Sequence, residues 1–303
     1  MNTFYKPLSD RVPDTQYQDR VKHILAHGEM IKETPQGVGA LTCFGTLAPM
    51  VFDPRNGIPM LTERSMETFW RKPIGEIFGM INGETTIDGL ESYGCKGFWS
   101  PYRGKGTVLG LAPDDLGPGS YGAAFHDFPV PRPWWKFWAP KTLNQFEQLL
   151  DQIRQYPSLR THLVTPWIPF YTACGPNRKV QIAPCHGWVH VRVINGRLHL
   201  LMSQRSGDFP LGVPNNMLQY AALHLAICQM TGFKPGNYIH YIADVHIYEN
   251  QIEKMKELAE RKPRPFPILR LDPSVTNLFD FRTEHFNIEE YDPCPAMKIP
   301  YSP

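Results

Sequence analysis

Apolar positions along the chain fall into a few clear periodicities. From Leu143 to Tyr156 they recur at Leu143, Phe146, Leu149, Leu150, Ile153 and Tyr156, the spacing of an amphipathic helix that Pro157 ends. Trp188 to Ile194 reads WVHVRVI, a strand. Asn195-Gly196 follows, the dipeptide of a tight hairpin, and RLHLLMS is the returning strand. The hairpin therefore lies just after Cys185 and leads into Gln204-Arg205-Ser206. Gly207 to Pro214 reads as a loop. Behind it NMLQYAALHLAICQMTG is apolar nearly all round and closes on Gly232, which predicts a buried central helix. Tyr238 to Tyr248, YIHYIADVHIY, is a further strand. Long hairpin strands plus helices, without a regular alternation of the two, predict an α+β fold.

Composition narrows the class. At 303 residues, 42% apolar and 20% charged, the chain has material for a core and too little charge for disorder, so residues 1–303 are expected to form one domain. A net charge of +2, from 31 basic and 29 acidic residues, carries no footprint of a nucleic-acid binder and turns attention to small-molecule chemistry. The thirty prolines cluster in runs such as PVPRPWWKFWAPK, RKPRPFP and YDPCPAMKIPYSP. These read as extended surface loops on one domain, with Trp134, Trp135, Phe137 and Trp138 in a packed insertion. Six cysteines (43, 95, 174, 185, 228, 294) show no CxxC pair, and eleven histidines show no HExxH grouping, so no metal is expected. A polar N-terminus and the lack of an apolar run of ~18 residues lead to the expectation of a reduced, cytoplasmic protein that crosses no membrane.

The chemistry concentrates between Ile182 and Tyr248. Ala183-Pro184-Cys185-His186 sets a thiol where a strand begins, and Arg205 follows one hairpin later. A nearby guanidinium favours the nucleophilic thiolate. From spacing alone a cysteine beside a histidine is more often a buried structural thiol.

Residues 183–253, APCHGWVHVRVINGRLHLLMSQRSGDFPLGVPNNMLQYAALHLAICQMTGFKPGNYIHYIADVHIYENQIE, resemble the C-terminal half of thymidylate synthases, whose PCH, QRSxD, LGxPxN and DxHxYxN motifs occur in this order and at these separations. Further stretches agree: Phe44-Gly45, PMLTERSMETFWRKPIGEIFGMINGETT, LGPGSYG, YPSLR, RKPRPFP and the closing YDPCPAMKIPYSP. Outside the quoted motifs, residues 1–30 and 100–140 match poorly, and 100–140 reads as a family-divergent insertion.

The resemblance implies an α+β fold with a large mixed sheet packed with helices around a buried central helix. It also implies one-carbon transfer from 5,10-methylenetetrahydrofolate to C5 of a pyrimidine nucleotide. Cys185 would add to C6 of the base, making C5 enolate-like. Arg205 would hold the phosphate and support the thiolate. Asn216 would read uracil, donating to O4 and accepting from N3–H; a cytosine-specific relative carries aspartate there. His246 and Tyr248, two apart on one strand face, would hold the 3′ hydroxyl. Glu76 would order water and move protons about O4, and Tyr121 would belong to the relay that removes the C5 proton. Asp208, Trp99 and Arg64 would serve the folate. His186 would support catalysis by hydrogen bonding, and Gln204 and Ser206 would line the nucleotide.

The family forms homodimers in which a YPSLR-like turn donates phosphate-binding arginines across the interface. Arg160 matches one, Leu159 replaces its neighbour, and Pro35 stands where another arginine is usual. Each lost charge-assisted contact is worth about 1.5–3 kcal/mol; Lys32, Arg103 and Lys105 are the candidate replacements. Asn215 stands where phenylalanine is usual, and the tail ends Tyr301-Ser302-Pro303 in place of a small aliphatic terminus. Hydride capture by an exocyclic methylene gives a methyl group and dihydrofolate, whereas water gives a hydroxymethyl group. A polar Asn215 and a changed tail favour water, so the expectation is a dUMP 5-hydroxymethylase. Thymidylate synthase, a CMP or dCMP hydroxymethylase and a non-catalytic nucleotide-binding relative are the alternatives. The expected setting is the cytoplasm, or the host's if the chain is virus-encoded, without nucleic-acid or membrane partners.

Overall fold

The computed structural model describes residues 4–131, 135, 141–173 and 175–302. Cys174, Trp134, Phe137, Trp138 and Pro303 lie outside the described residues, while Trp135 is exposed. The helices are α1 (Gln16–His27), α2 (Arg71–Ile81), α3 (Ile87–Leu90), α4 (Tyr121–His126), α5 (Gln145–Gln155), α6 (Pro169–Thr172), α7 (Gly212–Thr231) and α8 (Ile252–Glu260). The strands are β1 (Glu29–Ile31), β2 (Ala40–Phe44), β3 (Met50–Phe52), β4 (Phe128–Pro129), β5 (Thr142–Leu143), β6 (Leu163–Val164), β7 (Trp188–Ile194), β8 (Arg197–Asp208), β9 (Lys234–Tyr248), β10 (Ile268–Leu271) and β11 (Phe286–Glu289).

The main sheet runs β1-β2-β9-β8-β7-β6, with β3 also on β9. Its pairs are antiparallel except β8 with β9, which α7 connects as a parallel crossover, so the sheet is mixed. The hairpin forms as its sequence dictates: Asn195 and Gly196 both take positive φ, 50° and 70°, and Ile194 pairs with Arg197. Alternation along β8 and β9 turns Leu198, Leu200, Met202, Gln204, Tyr238, His240 and Ile242 into the core, against α7. α7 is buried on nearly every side and stops at Gly232, whose left-handed φ of 75° suits glycine. The other face of the sheet carries half-exposed Leu201, Ile239 and Tyr241, with Val51, Leu163 and Ile194 more open.

Two boundaries differ from the sequence pattern. β8 continues through Gln204 to Asp208, and α7 begins at Gly212, so the expected loop from Gly207 to Pro214 is only a short turn. Polar residues at Gln204, Ser206 and Asp208 hide the strand because that end of the sheet is lined with functional groups and not with core. Pro214 sits in the first helical turn, where a missing N–H costs no hydrogen bond. The expected helix 143–156 forms as Gln145–Gln155, capped by the Asn144 side chain on Phe146 N and Glu147 N, while Leu143 pairs with Phe128 instead. The carboxyl ends of the parallel pair β8 and β9 and the start of α7 thus meet at one crevice, where an α/β sheet commonly presents its ligands.

Candidate active site

Cys185 lies in the turn that enters β7. Its carbonyl accepts a 2.7 Å bond from Arg205 N, which ties the turn to β8. The Arg205 guanidinium folds back over it: Nε donates to Pro184 O at 2.8 Å, Nη2 to Ala183 O at 3.0 Å, and Nη2 lies 3.3 Å from Cys185 Sγ. Burial pushes the Cys185 thiol up, and the Arg205 charge offsets part of that rise. The expected net lowering by Arg205 is therefore not found in the single chain: desolvation of the sulfur outweighs one guanidinium already shared between two carbonyls. Tyr121 Oη accepts from the backbone N of Cys185 at 2.6 Å and of His186 at 3.3 Å. Burial keeps this phenol protonated. His186 stacks on the Tyr121 ring, 4.5 Å between centroids, and meets Tyr220 Oη through Nδ1 at 2.8 Å. Burial lowers its pKa to about 3, so it is neutral. Gly187, with φ of 100°, follows; a Cβ there would lie 2.8 Å from the Phe125 ring and 3.0 Å from Tyr220 Oη. No other residue lets the Cys185 turn approach α4 and α7 so closely.

A second group of residues is gathered by α2 and α7. Glu76 is buried, its Oε1 accepting from Trp99 Nε1 at 2.6 Å and its Oε2 from Gln219 Nε2. Burial raises its pKa to about 7 against the lowering effect of those two bonds. Gln219 Oε1 in turn accepts from Asn216 Nδ2 at 2.7 Å, and Asn216 Oδ1 accepts from Gln204 Nε2 at 3.1 Å. Trp99 is only 8% exposed, so its indole N–H is committed to Glu76 and little of its face is open.

The ends of β8 and β9 supply the third group. Their register sets Ser206 beside Asp244 and Asp208 beside His246. Ser206 Oγ donates to Asp244 Oδ2 at 3.1 Å, and Thr42 Oγ1 to Asp244 Oδ1 at 2.7 Å. His246 and Tyr248 share a face, their rings 5.0 Å apart. Asp208 Oδ1 accepts from Leu211 N at 3.1 Å and Oδ2 from Gln251 Nε2 at 3.3 Å, while burial lifts its pKa to about 6. Gln251 also donates to Pro300 O at 2.9 Å, so the tail is docked beside Asp208. Tyr301 Oη meets Tyr102 Oη at 2.6 Å, and Tyr102 acts electrostatically on both Cys185 and Tyr248.

A family model described as thymidylate synthase matches residues 15–303. The chain belongs to the thymidylate synthase family. Members carry out folate-dependent one-carbon transfer to a pyrimidine nucleotide, and the α+β fold with its mixed sheet and buried α7 agrees with that membership.

Two bonded sets thus emerge, Cys185, His186, Tyr121 and Arg205 in one and Glu76, Trp99, Gln204 and Asn216, linked through Gln219, in the other; they meet where Arg205 follows Gln204 on β8, and Ser206, Asp208, His246 and Tyr248 line the ends of β8 and β9. Arg64 is buried nearby, donating through Nη2 to Pro210 O at 2.7 Å, under the turn that follows Asp208. Arg160 stands apart: its side chain is exposed, its carbonyl accepts from His190 Nε2 at 3.0 Å, and within one chain it reaches none of the others among the described residues. Of the candidate replacement cations, Arg103 is committed to Asp88 and Asp114 at 2.6 and 2.7 Å. Lys105 lies over the Tyr102 ring at 4.9 Å and so stands at the rim. Sequence patterns miss Gln219, His240, Gln251 and Tyr102, because each acts by touching a motif residue that is distant in sequence. No helix among the described residues is long and apolar enough to cross a membrane, and they hold no cluster of metal-ligating groups.

Proposed function

We propose that the protein is a dUMP 5-hydroxymethylase. Cys185 adds to C6 while its thiol proton passes, through water ordered by Glu76, to O4 of the enolate that forms. Arg205 steadies the forming thiolate and, with Arg160 from a second copy, holds the phosphate. Asn216 reads O4 and N3–H of uracil, and His246 and Tyr248 hold the sugar. Glu76, poised near neutrality at about 7, trades protons around O4. Tyr121, held as a neutral phenol, passes the C5 proton through water and not as a phenolate.

The donor set suits a folate. Asp208 offers a carboxylate close to neutrality for pterin N–H groups, Trp99 offers an aromatic edge, and Arg64 braces the backbone beside them. Methylenetetrahydrofolate, when bound, supplies the one-carbon unit at methylene level. The chain's task is then to decide what reaches the exocyclic methylene left on the base.

The observation that carries the hydroxymethyl reading is Asn215. Its Nδ2 donates to Leu211 O at 3.1 Å, but its Oδ1 is buried without a partner. A buried acceptor left unpaired costs about 1–3 kcal/mol, and a water bound at this neighbour of Asn216 would relieve that cost. The paired phenols of Tyr102 and Tyr301 add polar groups on the tail side. Thymidylate synthase is the second reading, favoured by the docked tail, since Pro300 held through Gln251 beside Asp208 keeps bulk water out.

The exposed apolar sheet face supports a homodimer, which would carry Arg160 to the partner's phosphate. A thiol nucleophile suits a reducing cytoplasm. We read residues 1–303 as one catalytic domain, free of metal. The deciding experiment supplies dUMP and methylenetetrahydrofolate, then measures dihydrofolate by absorbance and the nucleotide by mass. A hydroxymethyl product without dihydrofolate is expected. A methyl product with stoichiometric dihydrofolate would establish the synthase, and turnover of CMP or dCMP alone would overturn the uracil assignment.

A further inference from the structure

Asn216 sits in the middle of a longer row of buried polar groups. Tyr238 Oη lies 2.8 Å from His240 Nδ1, and His240 Nε2 lies 3.2 Å from Gln204 Oε1. Gln204 Nε2 then donates to Asn216 Oδ1, Asn216 Nδ2 to Gln219 Oε1, and Gln219 Nε2 to Glu76. All six side chains are buried.

Amides have distinct ends, so this row has a direction, and groups that can only accept fix it. The Ser206 carbonyl takes a second proton of Gln204 Nε2 at 2.9 Å, and the Glu76 carboxylate takes the Gln219 proton. The His240 ring, neutral through burial, then carries its proton on Nε2 and accepts from Tyr238 at Nδ1. Asn216 is left with one Oδ1 lone pair and one Nδ2 proton for a base, the order that N3–H and O4 of uracil require. Cytosine presents the reverse order at N3 and N4 and needs Asn216 turned over. Turned over, its NH₂ would face that of Gln204, and its oxygen would face that of Gln219. A backbone carbonyl enforces the first conflict. The second disappears if Gln219 also turns, and Gln219 can turn only when Glu76 is a neutral acid able to donate.

We propose that Gln219 is a specificity-determining positioning residue that transmits the charge of Glu76 to Asn216, so that the preference for uracil over cytosine strengthens as Glu76 ionises. This rests on the reading of the site as a pyrimidine-nucleotide site. The ionisable groups facing Glu76 are Cys95 from the segment after α3, Tyr121 from α4 and Tyr220 from α7, and burial keeps all three neutral. No charged side chain acts on Glu76 among the described residues, from the Thr283–His285 turn packed on α2 or elsewhere. Glu76 itself is the group that titrates near neutrality.

The test is equilibrium binding of dUMP and dCMP to the full chain between about pH 6 and about pH 8.5, where neither base ionises; the phosphate titrates alike in both and cancels in the ratio. The ratio Kd(dCMP)/Kd(dUMP) is expected to climb about fivefold or more across this range, with a slope of at most about tenfold per pH unit. Gln219→Met should flatten the profile and lower the ratio at the alkaline end. Glu76→Gln, whose amide can either donate or accept, should also give a flat profile, which keeps the test available if Gln219→Met does not fold. A ratio independent of pH in the natural protein, or a slope that survives Gln219→Met, overturns the coupling. If neither nucleotide binds, the nucleotide reading itself falls.

Discussion

Glu76, Gln219, Asn216 and Gln204 form a floor in which each side chain is buried and bonded to the next, whereas Tyr102, Lys105 and Tyr301 form a rim held by one or two exposed contacts each. On the floor, low dielectric makes each bond directional and each missing partner costly. At the rim, water replaces a lost partner at little cost. The floor is therefore suited to reading a base and moving protons, and the rim to admitting reagents and trading one cation for another. The departures from the family pattern at Pro35, Leu159 and Tyr301 are exposed in the same way, while Asn215, whose Oδ1 is buried, lies next to the floor residue Asn216.

The largest expected effect joins the two regions through the nucleophile. Cys185→Ala should lower turnover by at least about 10³-fold while nucleotide affinity stays within a few-fold, as measured by single-turnover assay and calorimetry. Persistence of turnover would remove the covalent route. Mixing and re-associating Cys185→Ala with Arg160→Ala, each inactive or impaired alone, should return about a quarter of the native sites if Arg160 serves the partner's floor. No recovery on mixing would confine Arg160 to its own subunit.

Next comes the floor alone. Glu76→Gln should cut kcat by about 10²–10⁴-fold and erase an inflection in the pH profile near 7. Its effect on stability has a definite sign. The folded pKa of about 7 lies above the 4.5 of an exposed glutamate, so the folded state binds the extra proton. Stability from this group is complete below pH 4.5 and is lost as the pH rises through 7, by about 3 kcal/mol in all. Urea titrations at acid and at mildly alkaline pH should show Glu76→Gln gaining relative to the natural protein by that order at the alkaline end. Equal differences at both pH values would mean that Glu76 is not desolvated as its surroundings require.

How far the sequence foreshadows these two regions follows from the range of the interactions that build them. The hairpin at Asn195-Gly196 and the buried helix ending at Gly232 rest on local backbone preference and periodicity, and both are plain in the sequence. Cys185, Arg205, Asp208 and Asn216 lie close enough along the chain to form a recognisable order. Gln219 is different: it looks like one more polar residue on α7, and only the packing of α2 against α7 brings it to Glu76, 143 residues away. Gln251 and Tyr102 are hidden in the same way, since the tail that gives them a purpose arrives from the far end of the chain. The extension of β8 to Asp208 is obscured because functional polarity replaces the apolar alternation by which strands are found.

The smallest effects belong to the tail, where the floor and the rim can be separated by two neighbouring contacts. Gln251 is wholly buried and serves three partners: it accepts from Tyr248 N at 3.0 Å and donates to Asp208 and to Pro300 O. Gln251→Ala leaves those groups unpaired and should cost about 1–3 kcal/mol of stability, with a matching rise in the KM for folate because Asp208 and the tail lose their common tether. Tyr301→Phe removes a single hydroxyl from a half-exposed ring. Its change in stability should stay within about 0.5 kcal/mol, because water replaces the lost partner of Tyr102. Folate KM should rise only about two- to threefold, with kcat nearly unchanged, as steady-state kinetics at saturating nucleotide would show. If Tyr301→Phe proved as costly as Gln251→Ala, the phenol pair would belong to the floor, and the tail would act as a fixed wall of the site and not as a replaceable part of its rim.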